Sequence, residues 1–305
     1  MASKAQSLDY RPSYLAAALA AAAVFGLYIF TLAPSTAMWD TSEYIAAAYT
    51  LGLPHPPGNP FFVLVGRVFT ILPIAPNIAM RVNVLAALCS AATAFFWFLI
   101  TERVLVGWLP QRWQRIAGGT LTALIGATAF TVWAQSVVNE KVYTVALAGL
   151  ALVSWLVVKW CDEPDAPGAD KLLILASYVM GLGYANHMAG LLTLPAMGVA
   201  VILRRPRMLL RWQLILGCAG ALALYLVVPV VICVSALPIS PSGLGVRENL
   251  FVHLLSAPAI GVPATPALSL SLLAYAVSLF WSVVGGLAYM TLKDRRHLRD
   301  ITQAE

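Results

Sequence analysis

The chain has 305 residues, of which 60% are hydrophobic and only 10% are charged, and its mean hydropathy is +0.82. Soluble domains carry about a quarter of charged residues, so this composition excludes an ordinary soluble domain and predicts an integral membrane protein. The net charge of +6 does not indicate nucleic-acid binding, because the basic residues lie in short segments between apolar runs, as in membrane proteins.

Eight apolar stretches predict membrane-spanning helices, and therefore an all-α, polytopic fold in which about eight helices cross the bilayer. The first stretch carries no charge and is longer than the apolar core of a typical signal peptide, so it is interpreted as a retained helix. The predicted spans are residues 14–32, 82–100, 116–134, 142–158, 172–184, 188–203, 212–234 and 268–289. They form one predicted transmembrane domain, residues 1–305, in which residues 33–81 and 235–267 are the first and last extracytoplasmic loops.

The distribution of basic residues predicts the orientation of the chain. With a cytoplasmic amino terminus, all of the 19 lysines and arginines face the cytoplasm except Arg67, Arg81, Lys141 and Arg247. Because basic residues concentrate in cytoplasmic segments, both termini are expected inside. The same orientation places polar and ionisable groups from separate stretches of the chain at the outer side of the membrane, which indicates a functional site there.

The first outer loop predicts two short helices that lie along the membrane surface. The Ala-rich run TSEYIAAAYTLGL follows Asp40 and is stopped by the prolines of HPPGNP, since proline ends a helix and restricts the residue before it. The segment PFFVLVGRVFTIL, residues 60–72, predicts the second helix.

Asp40 and Glu43 have two open interpretations. Asp-x-x-Glu before an apolar helix resembles a capping box, in which both carboxylates bind backbone amides at the helix start. Alternatively, Asp40 acts as a general base that takes a proton from an acceptor hydroxyl. His55 is equally ambiguous, because His-Pro-Pro-Gly predicts a rigid turn on which the imidazole can also contact a phosphate or a sugar hydroxyl.

Four segments within about residues 31–203 carry a family resemblance: TLAPSTAMWDTSEYIAAAYTLGLPHPPGNPFFVLVGRVFTILPI, RVNVLAAL, WAQSVVNEKVYTVAL and GLGYANHM. They resemble the protein O-mannosyltransferases of the endoplasmic reticulum that modify plexin-type receptors, and their bacterial relatives, within the GT-C glycosyltransferase superfamily. The resemblance implies a GT-C transmembrane module with its active-site cavity at the outer face of a bacterial inner membrane. It also implies a polyprenyl-phosphate sugar as donor.

The resemblance further implies which residues form the site. Asp40 and Glu43 match the catalytic acidic positions, with Asp40 as the base. The implied substrate-binding residues are His55, Arg81, Asn83, Glu140, Tyr143, Asn186 and His187. Arg247 lies outside the matched segments and is added as a substrate-binding candidate, because arginine suits phosphate and cations are scarce on the predicted outer side. Among these, the candidate cations for the departing phosphate are Arg81, His187 and Arg247. The chain departs from the family pattern at Thr41-Ser42, at Lys141 inside the Glu-Val-Tyr element, and in its shorter length.

Neither a cofactor nor a metal is expected, although the carboxylates of Asp40, Glu43 and Glu140 are the hard oxygen ligands that Mg²⁺ or Mn²⁺ prefers. The expected partners are the polyprenyl-phosphate sugar donor and membrane lipids, and no nucleic acid. The alternative function is a catalytically silent, GT-C-like structural subunit of a larger membrane complex, which the shortened chain favours. A transporter is less well supported, because no central span carries the buried charges of a transport site.

Overall fold

The structure is a computed structural model and describes residues 10–37, 39–55, 58–139, 141–235 and the short pieces 252–253, 255–256, 263–269 and 271–272, with the backbone alone for 224–235. The chain divides into two compact units, Met1–Leu226 and Val227–Glu305. Every regular element in the described ranges is helical, which confirms the all-α class. The helices are α1 (Tyr14–Phe30), α2 (Thr41–Thr50), α3 (Pro60–Ile71), α4 (Ile78–Val104), α5 (Arg112–Thr128), α6 (Phe130–Val137), α7 (Tyr143–Asp162), α8 (Asp170–Asn186), α9 (Leu194–Arg204) and α10 (Trp212–Ser235).

Two helices in the described part of the chain are long and apolar enough to cross a membrane. They are Ile78–Gly107, which is α4 extended by a 3₁₀ turn, and α7. The pair formed by α5 and α6 is a third candidate, but the two helices are bent by 70°. The shorter apolar helices are Tyr14–Phe30, Pro60–Ile71, Met188–Arg204 and Trp212–Ala223. The number of eight spans therefore stays a prediction, and its last span, residues 268–289, lies mostly outside the described residues.

The break between α5 and α6 falls inside the predicted span 116–134. Ala129 adopts an extended backbone, with φ −60° and ψ 133°. The hydroxyl of Tyr28 on α1 donates to the carbonyl oxygen of Ala127 at 2.8 Å. Because the last carbonyls of a helix need partners outside it, this bond stabilises the end of α5. A contact with another helix thus stabilises the break, and neither Pro nor Gly stands at Thr128–Phe130 to mark it in the sequence.

The candidate functional site lies where the ends of several helices contact one another. Asn83, near the start of α4, contacts the segment just before α7, because its side-chain oxygen accepts the Asn139 N–H at 2.8 Å. At the other end of the same two helices, Arg103 pairs with Asp162 at 2.5 Å. Helices α4 and α7 therefore run parallel and begin on the same side. Helix α8 runs the opposite way, because its last residue, Asn186, donates to Val142 O at 3.0 Å.

A buried apolar cluster supports the surface helices of the first loop. Tyr44 on α2 and Phe62 on α3 are buried, and they pack with Val82 and Leu85 of α4 and with Val142. The predicted pair of short helices in this loop corresponds to α2 and α3. Their packing fixes the loop that carries Asp40 against the first turn of α7.

Candidate functional site

Asp40 is the residue immediately before α2, where a helix-capping carboxylate would stand. Its side chain makes no capping hydrogen bond. Instead, its Oδ2 lies 2.6 Å from Nζ of Lys141, and the two side chains are 30% and 28% exposed. The hydrogen bond from Lys141 holds the pKa of Asp40 below its ordinary value of 3.8, and the same bond raises the pKa of Lys141. The capping interpretation is therefore wrong for Asp40, whose carboxylate is charged and accessible.

Glu43 likewise does not complete a capping box. Its Oε1 accepts the backbone N–H of His55 at 2.5 Å, and its Oε2 lies 2.9 Å from His55 Nδ1. These hydrogen bonds lower the pKa of Glu43 below its ordinary value of 4.5. At the two described ends of His-Pro-Pro-Gly, Gly58 donates to His55 O at 3.0 Å and has a φ of +85°, as the predicted turn requires. The carboxylate of Glu43 thus fastens the turn to α2.

Asn83 and Asn186 hold the segment that carries Lys141. Asn83 is fully buried, and its amide also donates to the carbonyls of Ala33 and Ser35 at 3.0 and 3.2 Å. Asn186 is 1% exposed and binds Val142 O from the other side. Both asparagines use backbone groups of loops as partners, so the structure gives them a positioning role around the site.

His187 follows α8 directly and faces Tyr143, with 5.7 Å between the ring centroids. Its Nδ1 accepts the N–H of Ala189 at 3.1 Å. A neutral imidazole that accepts at Nδ1 carries its proton at Nε2, so Nε2 is available as a donor. The turn that holds this histidine needs glycine, because a Cβ on Gly190 would lie 2.3 Å from the carbonyl carbon of Gly183.

The structure does not bring all the predicted residues together. Arg81 donates to the carbonyls of Ala75 and Thr70, both at 2.9 Å, and so closes the connection between α3 and α4. Glu140 and Arg247 lie outside the described residues, as does most of the last extracytoplasmic loop. Their predicted roles stay predictions.

Sequence reasoning missed three residues of the site. In the sequence, Lys141 is marked only by its departure from the family pattern and by the scarcity of cations on the predicted outer side. Asn59, 2% exposed, accepts from the Tyr44 hydroxyl at 2.7 Å and donates to Asn186 O, which links α2 to the end of α8. Asn139 is fully buried, and within the described part of the chain neither of its side-chain amide atoms has a hydrogen-bond partner.

The geometry bears on the expected absence of a metal. Asp40, Glu43 and His55 each offer a ligand atom, and these atoms lie within 4.8 Å of one another. Lys141 and His55 already provide partners for the two carboxylates. A metal would have to compete with the ammonium of Lys141 for Asp40 and with His55 for Glu43. The expectation that the site works without a metal stays a prediction.

Together these contacts place a charged carboxylate, an ammonium and an imidazole whose Nε2 can donate on loops at one end of the helix bundle. A carboxylate can accept a proton from a hydroxyl. Cations and N–H donors can stabilise a phosphate that gains charge as it leaves. The arrangement is therefore suited to group transfer from a phosphate to a hydroxyl.

Comparison with known proteins is consistent with this chemistry. Residues 40–210 match the family described as "Protein O-mannosyl-transferase TMEM260 N-terminal domain". The mouse (Mus musculus) protein O-mannosyl-transferase TMEM260 is 29% identical over 167 residues, which cover 54% of this chain and 22% of the mouse protein. The Dictyostelium discoideum protein O-mannosyl-transferase tmem260 is 25% identical over 116 residues, or 37% of this chain and 13% of that protein. The matched part thus spans less than a quarter of either relative, and no solved structure shows a significant match.

Proposed function

We propose that this chain, a member of the protein O-mannosyl-transferase TMEM260 N-terminal domain family, is a membrane glycosyltransferase of the GT-C type. In the proposed reaction, a sugar moves from a polyprenyl-phosphate donor to an acceptor hydroxyl. The relatives are named for transfer of mannose to protein oxygen, so mannose is the first sugar to test. We place the site at the extracytoplasmic face of a bacterial inner membrane, with both termini in the cytoplasm.

The observation that carries this proposal is the position of the Asp40 carboxylate. It caps no helix, it is partly exposed, and it lies beside the loop that joins α6 to α7. Had Asp40 bound the amides of α2, its oxygens would have been unavailable to a hydroxyl. We assign it the role of general base. Inversion at the sugar carbon follows if the hydroxyl attacks opposite the departing phosphate.

The neighbouring residues have supporting roles in this proposal. Nε2 of His187 donates to the donor phosphate, and Tyr143 stands beside that imidazole. Glu43 and His55 hold the loop that carries Asp40, while Asn83 and Asn186 hold the segment before α7. No step in the proposed reaction requires a metal.

The substitution Asp40→Asn tests the base. Asparagine has nearly the same shape but cannot accept the proton, and removal of a general base costs roughly 10²- to 10⁴-fold in rate. We expect kcat to fall by that factor for transfer from polyprenyl-phosphate mannose to a serine- and threonine-rich peptide library, with the purified protein in nanodiscs. The matched control is Asp165→Asn, which also breaks an aspartate–cation pair, with Arg205 at 3.0 Å, but lies in the loop between α7 and α8. The control should keep full activity.

Two results would contradict the proposal. The first is an Asp40→Asn protein that is folded and turns over at the wild-type rate. The second is a wild-type protein that transfers no sugar and copurifies in fixed stoichiometry with a larger membrane complex. That second result would favour the silent structural subunit.

A further inference from the structure

Lys141 supplies the full positive charge that lies against the Asp40 carboxylate. The other two candidate groups in the described part of the chain have backbone partners. Arg81 donates to two backbone carbonyls, and His187 accepts a backbone N–H. Glu43 and His55 are bound to each other, so they do not take the ammonium away from Asp40. A lysine ammonium is a compact charge on a flexible stem, and the Lys141 side chain is 28% exposed, so part of it is accessible to a ligand.

We propose that Lys141 binds the phosphate of the lipid donor and changes its partner when it does so. When no lipid donor is bound, its ammonium pairs with Asp40; when the lipid donor is bound, its ammonium pairs with the phosphate. This inference rests on the proposed function; it adds Lys141 to the donor site and couples donor binding to the release of Asp40. The resting ion pair keeps the carboxylate charged and fixed in place. Binding of the donor removes the ammonium from Asp40 and so frees a carboxylate oxygen for the acceptor hydroxyl.

The charges balance through the transfer. The acceptor oxygen forms a bond to the anomeric carbon, and the bond from that carbon to the phosphate oxygen breaks with its electron pair on the phosphate. The hydroxyl proton goes to Asp40. Before transfer, the phosphodiester and the Asp40 carboxylate each carry one negative charge. After transfer, the departing phosphate carries two negative charges and the protonated Asp40 carries none. Lys141, held by the phosphate, therefore ends beside the group that has gained charge, and hydrogen bonds to charged groups are the strong ones.

Partner exchange makes a prediction that a simple structural ion pair does not. If Asp40 and the phosphate compete for one ammonium, Asp40→Asn should increase the affinity for the phosphate while it abolishes transfer. Lys141→Met should decrease that affinity. In the double variant, the increase caused by Asp40→Asn should largely disappear, because no ammonium remains to be released. Lys141→Arg should restore most of the affinity, since arginine also binds phosphate.

The experiment measures binding of farnesyl phosphate to the full chain in nanodiscs by calorimetry, with inorganic phosphate and farnesol as parallel probes. For Lys141→Met we expect at least about a tenfold weaker affinity, as for a lost hydrogen bond to a charged group. For Asp40→Asn we expect a gain of about threefold to fivefold, the range of a partly exposed ion pair. The control Lys171→Met, an exposed lysine at the start of α8, should bind as wild type.

The probes separate the sources of the phosphate and the two proposals. Tight farnesyl phosphate binding with weak inorganic phosphate binding indicates the lipid donor, whereas equal binding of both overturns the assignment to a lipid. Unchanged affinity in Lys141→Met, or an Asp40→Asn gain that persists in the double variant, overturns the inference even when wild-type transfer is normal. Absence of farnesyl phosphate binding by the wild type also overturns it. If these affinities change as expected but no variant or wild type transfers sugar, only the proposed enzymatic function fails.

Discussion

The Glu43 carboxylate makes the conformation of the first loop dependent on pH. Its pKa is lowered by the hydrogen bonds to His55, so the ionised form is the one that the fold stabilises. A carboxylate with a depressed pKa contributes stability above its ordinary value of 4.5, and this contribution is lost as the pH falls through the lowered value. The loop is therefore held at neutral pH and loosens in acid, below about pH 4.5.

Glu43→Gln should reproduce the acid-loosened loop at neutral pH. We expect hydrogen exchange of the His55 amide, which Glu43 Oε1 accepts, to accelerate roughly three- to tenfold, because exposed charged contacts are of modest strength. Exchange mass spectrometry of the peptide that contains residues 51–55 measures this. Glu163→Gln, on an exposed residue after α7, should leave that peptide unchanged. Protection equal to wild type in Glu43→Gln would show that the carboxylate does not hold the turn.

The sequence identified Asp40, Glu43 and His55 as candidates but not their partners. A capping motif and an ion pair use the same carboxylate, and the local pattern Asp-x-x-Glu is compatible with both. Which one forms depends on whether a cation comes near in the fold. Lys141 does so because Asn83 and Asn186 hold its segment beside α2, and contacts across such sequence distances are not encoded in a local motif.

Asn59 joins three elements at one point. It stands before α3 with φ 39° and ψ 55°, a left-handed conformation that asparagine tolerates better than most residues. Its side chain binds the Tyr44 hydroxyl of α2 and the last carbonyl of α8. The orientation of α2 relative to α8, and hence of Asp40 relative to His187, depends on this residue.

Asn59→Ala should destabilise the protein by about 2–4 kcal/mol, because it leaves two buried polar groups without partners and places in the left-handed region a residue that tolerates it less well than asparagine does. Asn59→Gly loses the same hydrogen bonds without the backbone penalty, so its loss should be smaller by about 1 kcal/mol. Thermal unfolding midpoints in one detergent should therefore rank wild type, Gly variant and Ala variant in descending order. An Ala variant that melts with the wild type would show that Asn59 does not connect these helices.

Hydropathy predicts the end of a helix only where buried polar contacts do not extend the helix further. Hydropathy placed the end of the second span at residue 100, but α4 continues to Val104. Glu102 is 1% exposed inside this extension, and it accepts hydrogen bonds from the Tyr10 hydroxyl at 3.1 Å and the Ser13 N–H at 3.0 Å. A charged residue lowers the mean hydropathy of its window whether it is solvated or buried and bonded, so composition alone could not show that the helix goes on.

The bundle has two chemically different ends. Helix α7 has 20 residues, which at 1.5 Å per residue is about 30 Å, the thickness of the hydrocarbon core. One end of α7 adjoins the pair Asp40–Lys141, and the other carries Asp162, bonded to Arg103. Arg211 pairs with Asp170 at the start of α8, on the same side as Asp162. A membrane crossed by α7, which is long and apolar enough to span one, would therefore separate the candidate site from the arginine-rich end.

The positive-inside rule predicts that the arginine-rich end is cytoplasmic, which labelling of single cysteines can test. Thr36→Cys lies on an exposed loop before α2, and Asp165→Cys lies at the other end, where the aspartate side chain is 81% exposed. In spheroplasts, a maleimide that does not cross membranes should label position 36 directly and position 165 only after permeabilisation. The background protein has its four native cysteines replaced by alanine, and it serves as the unlabelled control. Direct labelling of position 165 with protection of position 36 would reverse the orientation and place the site in the cytoplasm, where a donor presented at the outer leaflet could not reach Asp40.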